Sequence, residues 1–264
     1  PLVDPLINET FAGIKAAVKG YGKRLPLYAL EIGVSGKDNR TVAVFYLAHE
    51  VSFPWETAFA GVKRLKGCGA WVSGDKQGSG RWISVEGDEK LFYSAGEMDF
   101  EAGITVFSQV NRSQNDILTG KVAEFASLTG VEKIVDLYSG IGNFTLPLAR
   151  NAGKATGVES NRDAVKEAEA NALKNSVKNA GFHCADSVSW LKQNMKSLEK
   201  EGIDVLVLDP PRGGEPEIAK SLSGIRPKKI IYVSCSPPTL ARDVLALTGC
   251  GYRVFRAVLI DMFP

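Results

Sequence analysis

From about residue 130 onward, apolar β-branched runs alternate with segments of helical periodicity across short connections, and this alternation constrains the fold more than any other feature of the chain. Strands are predicted near 133–138, 154–159, 180–184, 203–208, 229–234 and 252–260. Helices are predicted near 143–151, 161–178, 186–199, 214–223 and 238–248. The second of these helices spaces Ala164, Ala168 and Ala172 four apart, with Val165 and Leu173 alongside, as an amphipathic face packing on a sheet requires. The fold class that follows is α/β, with a doubly wound, mostly parallel sheet covered by helices on both faces.

The first hundred residues read differently. A helix near 4–19 precedes the strand-like runs LYALEIGV and TVAVFYLA, then come a short helix near 55–66 and short strands joined by Gly-rich turns such as SGDKQGSG. These strands follow one another without obligatory helical crossovers, so residues 1–105 are predicted to form a smaller α+β domain and residues 106–264 the main one. The stretch QVNRSQNDILTGKVAEFASL is predicted to be a helix leading into the second domain.

Composition bounds the setting. With 44% hydrophobic and 23% charged residues the chain is globular rather than disordered. It holds no uncharged apolar run long enough for a membrane span, and its start, PLVDPLINETF, lacks the layout of a secretory signal. That start also lacks an initiator methionine, and the chain stops in a strand-like VLIDMFP, which together suggest an excised piece. Cys68, Cys184, Cys235 and Cys250 form no C-x-x-C pair and no zinc spacing, so reduced thiols, a cytoplasmic location and no metal are expected. A net charge of +2 neither demands nor excludes a nucleic-acid partner, and the basic cluster GVKRLKG reads as a solvated helix end.

Three motifs carry chemistry. In VDLYSGIGNFTLPLAR, an acid near the end of the first strand precedes a Gly-x-Gly turn at Gly140 and Gly142 and then a helix. Glycines there let the backbone approach a ligand, and the helix start leaves N–H groups free to meet it. Thr145 stands where a dinucleotide fingerprint wants Gly or Ala, and Glu159 ends the second strand where a carboxylate can accept ribose hydroxyls. Those features alone leave nicotinamide and S-adenosylmethionine open.

The second motif, VLVLDPPRGG, ends a buried strand in Asp209-Pro210-Pro211, and the two prolines hold the aspartate in a rigid extended loop at the carboxyl edge of the sheet. A dehydrogenase has no use for that loop, whereas a methyltransferase must hold an acceptor base against a methyl donor. Arg212 follows where amine methyltransferases usually carry an aromatic residue, which argues against an exocyclic-amine acceptor.

The third motif, YVSCSPPTLARD, sets Cys235 between the strand KKIIYV and a helix starting with Ser236 as N-cap and Pro237 in its first turn. A thiolate is stabilised beside that positive helix end. Cys235 and Asp209, at the ends of successive strands, are expected to share one crevice. Uracil C5 is too weak a nucleophile to accept a methyl group unaided; thiolate addition at C6 makes C5 nucleophilic, and a base then removes the C5 proton.

FSQVNRSQNDIL, DLYSGIGNFTL, LDPPRGG, YVSCSPPTLARD and LIDMFP resemble the successive motifs of the RNA 5-methyluridine methyltransferase family, most closely its bacterial 23S ribosomal RNA branch. The resemblance is dense over residues 107–264, while residues 1–105 match by position as that family's central, RNA-contacting domain. It implies an S-adenosylmethionine-dependent enzyme with a Rossmann-like fold, acting on RNA and not on membranes; the sequence does not fix the oligomeric state, and a monomer is expected. Cys235 is then the nucleophile and Asp209 its catalytic partner; Gln109, Tyr138, Gly140, Gly142, Asn143, Glu159, Asp186 and Asp209 line the cofactor and target-base site. Tyr138 stands where the family often has Phe. Members usually also carry an oligonucleotide-binding barrel and a cysteine cluster for an iron–sulfur centre, neither of which precedes Pro1, and a glutamate base a few residues beyond DMFP. The resemblance therefore implies a catalytic core that completes turnover poorly.

The rivals are a transfer-RNA uridine enzyme, an RNA cytosine C5-methyltransferase, which usually has a cysteine in the loop that reads DPPRGG here, a non-catalytic RNA-binding module, and, more distantly, a nicotinamide dehydrogenase. His49 and His183 read as structural, Cys184 as core, and Cys68 and Cys250 as turn residues. Trp55, Trp71, Trp82 and Trp190 read as packing residues, although tryptophans can stack on bases.

Overall fold

The computed structural model describes residues 4–20, 22, 24–74, 80–109, 111–222 and 224–262. The chain forms two compact units, Pro1–Ser94 with Phe100–Thr105, and Ala95–Asp99 with Val106–Pro264.

The first unit holds helix α1 (Pro5–Gly20) and a four-stranded sheet ordered β1 (Leu27–Ser35), β2 (Arg40–Leu47), β3 (Leu65–Ser73), β4 (Gly80–Gly87). β1–β2 and β3–β4 are antiparallel, but β2 and β3 are parallel, so a crossover carrying α2 (Trp55–Phe59) does connect them, contrary to the expectation of strands without crossovers. That helix stops at Phe59 rather than 66, because a turn with Arg64 at φ 70° leads straight into β3. One sheet face buries Ile14, Phe45, Phe53, Phe59 and Ala70, with the Phe45 and Phe59 rings stacked at 5.0 Å. Cys68 lies inside β3 and is buried, not in a turn. Its neighbour Gly69 is there for close approach, since a Cβ would stand 2.1 Å from the Trp82 ring. Strands β5 (Lys90–Ala95) and β6 (Met98–Gly103) pair with each other.

The second unit is the doubly wound domain. Its sheet runs β11 (Lys229–Tyr232), β10 (Val205–Leu208), β7 (Lys133–Leu137), β8 (Lys154–Glu159), β9 (Ala180–Cys184), every pair parallel. Parallel strands need both faces covered, and the side-chain alternation shows how this is met. Val135, Leu137, Leu206 and Leu208 pack with α6 (Ser187–Glu201) and α7 (Ile218–Ser221) through Leu191 and Ile218. Ile134, Val205, Val207 and Ile231 point the other way, onto α3 (Arg112–Ala126) and α4 (Thr145–Ala149) through Leu118, Val122 and Leu148. Helix α5 (Arg162–Lys174) packs against β8 and β9, and α8 (Pro237–Gly249) follows β11. The strand order reverses between β7 and β10, and in open α/β sheets ligands bind at the carboxyl edge of that reversal.

In this unit two predicted helices shrink to about one turn and one predicted strand does not form. The helix placed at 143–151 spans only Thr145–Ala149, because residues 140–144 are taken up by turns. The one placed at 214–223 spans Ile218–Ser221, since Gly214 at φ 69° and Pro216 keep the preceding residues in a loop. Residues 252–260 form no strand. A β-prone sequence becomes a strand only where a neighbour takes its N–H and C=O groups, and among the described residues none does. Val254, Phe255 and Leu259 are exposed, while Ile260 and Met262 pack on the α3 face and Asn111 Nδ2 donates to the Met262 carbonyl at 3.1 Å.

Candidate active site

The Gly-x-Gly turn leaves β7 through a residue in the left-handed region. Tyr138, at φ 66°, and Ser139 both donate their backbone N–H groups to the Val158 carbonyl, at 2.9 and 3.1 Å, which fastens the turn to β8. Gly140 and Gly142 follow at φ 54° and 91°; at Gly142 a Cβ would also stand 2.9 Å from Leu146 Cγ. The Gly140 N–H donates to Glu159 Oε2 at 3.1 Å, and Glu159 Oε1 accepts from the Asn161 N–H at 2.7 Å. Glu159 thus braces the turn in addition to facing the edge. Asn143 exchanges a reciprocal amide pair with the buried Asn115 on α3, at 2.9 and 3.0 Å.

Under this turn lies a carboxylate whose importance the motif spacing did not single out. Asp136 is fully buried; Thr145 Oγ1 donates to its Oδ2 at 2.5 Å, while Oδ1 and the buried Ser139 Oγ have no partner among the described residues. Buried polar atoms without partners are rare, and two lie under this one turn. Burial pushes the Asp136 carboxyl up to about 7; the Thr145 hydrogen bonds work against this, and the negative charges of Asp209 and Glu159 add to it. Burial likewise pushes the half-buried Asp209 up to about 6.

This has a consequence for stability. A folded-state pKa above the unfolded value stabilises the fold fully at low pH, and the contribution is lost as pH rises through the folded pKa. For Asp136 the loss falls between about pH 4 and 7. Asp136→Asn, which keeps an acceptor for Thr145, is expected to flatten the fall in melting temperature over that window and to leave the ligand-free protein more stable at pH 8. A melting series from pH 4 to 8 checks this; parallel curves for the two proteins would contradict it.

Cys235 and Asp209 leave the ends of adjacent strands. Leu208 is in register with Tyr232, and the Val233 N–H donates to the Leu208 carbonyl at 2.7 Å. Asp209 is the next residue on one strand, and Cys235 lies two beyond Val233 on the other. Cys235 is exposed, next to the first turn of the 13-residue α8, with Ser234 Oγ accepting from the Ser236 N–H at 3.1 Å. Ser236 holds the N-cap position without a side-chain capping bond.

Asp186 is the N-cap of α6: its Oδ1 accepts from the Ser189 N–H at 2.9 Å, and the Ser189 hydrogen bonds hold its carboxyl below the usual range. The Tyr138 hydroxyl donates to Glu215, and burial together with that carboxylate holds Tyr138 far above the ordinary tyrosine range. The carboxyl edge of the sheet therefore carries Glu159, Asp209 and Glu215, with Asp136 buried beneath it and Cys235 following the strand next to Asp209's. The Gln109 backbone carbonyl accepts from Arg112 Nη1 at 2.7 Å just before α3. Cys184 is exposed at the end of β9, its thiol 3.6 Å from the Ser160 carbonyl, and is not the core residue expected; the strand places it at the sheet's open edge. Among the described residues no three His, Cys, Asp or Glu side chains group as a metal site.

The sequence profile described as tRNA (uracil-5-)-methyltransferase matches residues 83–264. The chain is 33% identical to the 23S rRNA (uracil(1939)-C(5))-methyltransferase RlmD of Methylococcus capsulatus, over 100% of this chain and 59% of that protein. An uncharacterized RNA methyltransferase of Caldanaerobacter subterraneus is 43% identical over 64% of this chain and 37% of its own. The chain thus spans less than two thirds of the length of these relatives. Among solved structures, the Pyrococcus abyssi tRNA (uracil-54, C5)-methyltransferase, in complex with S-adenosyl-L-homocysteine, superposes with a TM-score of 0.75 at 26% identity, over 97% of this chain and 63% of that one.

Proposed function

This chain belongs to the tRNA (uracil-5-)-methyltransferase family, and on that premise we propose that it transfers a methyl group from S-adenosylmethionine to C5 of a uridine in RNA through a bond between Cys235 and uracil C6. The observation that carries the reading is the exposed Cys235 thiol one strand over from Asp209, at the sheet edge where the order reverses.

The acidic edge of the sheet supports the choice of methyl donor. A pyrophosphate would meet carboxylates at this edge, and the Gly140 N–H that could bind it is already given to Glu159. A sulfonium and an amino group are cations and suit the negative charge that Glu159 and Asp209 place at the ends of β8 and β10. Gln109, Tyr138, Gly140, Gly142, Asn143, Glu159, Asp186 and Asp209 are the residues proposed to line the site, with Asp136 and Ser139 buried behind the turn. Bound S-adenosylmethionine supplies an electrophilic methyl group.

Cys235 and Asp209 supply the activation of the target base. The Cys235 sulfur adds to C6, and the electron pair displaced from the C5–C6 bond makes C5 nucleophilic. Asp209 hydrogen-bonds the ring edge and steadies the charge that develops there. Once C5 carries the methyl group, a base takes the C5 proton and the C6–sulfur bond breaks. The target base must leave its stack for thiol and donor to reach it from opposite faces.

The preferred target is 23S ribosomal RNA, because the Methylococcus relative carries that name; the Pyrococcus structure makes transfer RNA the second reading. Residues 1–105 are proposed to contact the RNA and residues 106–264 to hold the chemistry, in a cytoplasmic monomer. No helix among the described residues is long and apolar enough to cross a membrane.

The test is to supply S-adenosylmethionine with a labelled methyl group and unmodified 23S rRNA or tRNA transcripts, then digest the RNA to nucleosides. 5-Methyluridine in the rRNA is expected; label in 5-methylcytidine, or none, would contradict the proposal. Charge complementarity gives a second outcome. As pH rises from 5 to 8 the Asp209 and Asp136 carboxyls ionise, at about 6 and about 7, so preference for the cationic S-adenosylmethionine over the uncharged sulfur of S-adenosylhomocysteine should grow by about tenfold. Calorimetric affinities at both pH values check it.

A further inference from the structure

The loop that follows Asp209 is held by the helix that follows Cys235, and one buried side chain makes the connection. Asp243, on α8, is 1% exposed. Its Oδ2 accepts from the Glu215 N–H at 2.7 Å and from the Tyr232 hydroxyl at 2.6 Å, and its Oδ1 accepts from Arg242 Nε at 2.7 Å. Arg242 Nη2 in turn donates to the Gly213 carbonyl at 2.8 Å, and Thr239 Oγ1 to the Arg212 carbonyl at 3.1 Å. Gly214 packs against the same carboxylate: at φ 69°, a Cβ there would stand 2.4 Å from Asp243 Oδ2. From Glu215 the network passes on to the Tyr138 hydroxyl at the Gly-rich turn.

We propose that Asp243 is a positioning residue that locks the 211–215 loop onto α8, and so sets the Asp209 carboxylate and the Tyr138 ring in fixed relation to the Cys235 thiol. The inference rests on the uridine methyltransferase reading for its catalytic consequence. The physical reason is local. The loop has no regular structure, contains two glycines, and is reached from β10 through two prolines, so the hydrogen bonds from α8, with the Tyr138–Glu215 contact, are what fix it. Asp243 touches no reacting atom; it acts through the Glu215 amide, Arg242 and Tyr232. A carboxylate serving three donors cannot be replaced by an amide, whose NH₂ group would face a donor. A displacement of about 1 Å at a group that orients the substrate costs roughly 100-fold in rate.

The test compares the wild-type chain with Asp243→Asn and Tyr232→Phe. Amide hydrogen exchange at Gly214 and Glu215 reads loop docking directly; S-adenosylhomocysteine affinity, and kcat and KM on RNA, read the site. For Asp243→Asn the expected result is exchange at least about tenfold faster at those two amides, kcat lowered roughly 10- to 100-fold, and KM and S-adenosylhomocysteine affinity within about threefold of wild type. Tyr232→Phe, which keeps the Arg242–Asp243 pair, should show the same pattern more weakly and carries the test if Asp243→Asn does not fold. Unchanged exchange in the folded variants would overturn the proposal, as would kcat, KM and affinity all falling in step with melting temperature. If the wild-type chain makes no 5-methyluridine, the function proposed above fails, and the exchange measurement alone then decides whether Asp243 docks the loop.

Discussion

Cys235→Ala should lose methyl transfer to RNA by at least about 10⁴-fold while keeping S-adenosylhomocysteine affinity within about threefold of wild type. The size of the loss follows from the chemistry. Without a sulfur on C6, the uracil ring keeps its conjugation and C5 does not attack a methyl group, so no weaker version of the route remains. The selectivity follows from the fold. The thiol is exposed at the end of β11 and contributes nothing to either apolar cluster, so its removal leaves the Gly-rich turn and the sheet unchanged. Cys184 and Cys250 are exposed as well, which makes Cys184→Ala and Cys250→Ala the matched controls, expected to transfer at the wild-type rate. Rapid-quench transfer assays and calorimetry check the pair of statements together. A Cys235→Ala variant retaining a tenth of the wild-type rate would contradict the mechanism, even if cofactor binding were as expected.

Asp209→Asn is expected to separate activity from stability. Pro210 and Pro211 keep the side chain at the sheet edge whether it is charged or not, so the geometry survives the substitution. What is lost is an anionic acceptor where charge moves in the ring, and kcat should fall about 10²- to 10³-fold. Folding responds in the opposite direction. Burial pushes the Asp209 carboxyl up to about 6, so its contribution to stability is complete below the unfolded pKa and lost as pH rises through 6. At pH 8 the wild-type protein carries that penalty and the asparagine variant does not, a difference on the order of 2 kcal/mol. A variant both less active and more stable at pH 8 is the signature of a carboxylate kept for chemistry at the expense of the fold. Urea titrations at pH 4.5 and 8 and single-turnover transfer rates test it. Equal stability at both pH values, or unchanged kcat, would contradict the account.

The parallel sheet was legible because its strands are short and bounded by turn residues, because all but β9 carry β-branched residues, and because the helix faces repeat at the period that packing on a sheet demands. The strand predicted at 252–260 shows the limit of such reading. Tyr252, Val254 and Val258 suit a strand, but a strand also needs a partner, and propensity does not report one. The parallel pairing of β2 with β3 was hidden for a related reason: α2 is only five residues long, too short to register as a crossover helix.

At the candidate site, residues in dense local motifs were the legible ones. Cys235, Asp209 and the Gly140–Gly142 turn each combine a chemical group with a backbone signal, a helix start, a double proline or paired glycines. Asp136 was visible as a strand-end acid, but only burial and an unpartnered oxygen distinguish it from an ordinary one. Glu215 and Asp243 were unreadable for a different reason. Their contacts, Tyr138 with Glu215 and Asp243 with the Glu215 N–H, join residues 77 and 28 positions apart, and spacing carries no trace of them. Gln109 was inferred from family resemblance rather than from any backbone signal.

The central claim is that the Cys235 sulfur bonds to the uracil ring, and trapping that bond tests it most directly. RNA carrying 5-fluorouridine at the target position, incubated with the protein and S-adenosylmethionine, has no C5 proton for a base to remove, so the C6–sulfur bond persists through denaturation and digestion. Mass spectrometry should find the peptide containing Cys235 carrying one methylated fluorouridine nucleotide. A nucleotide attached to any other residue, or 5-methyluridine formed from unmodified RNA with no trapped adduct from the fluorinated substrate, would contradict the claim.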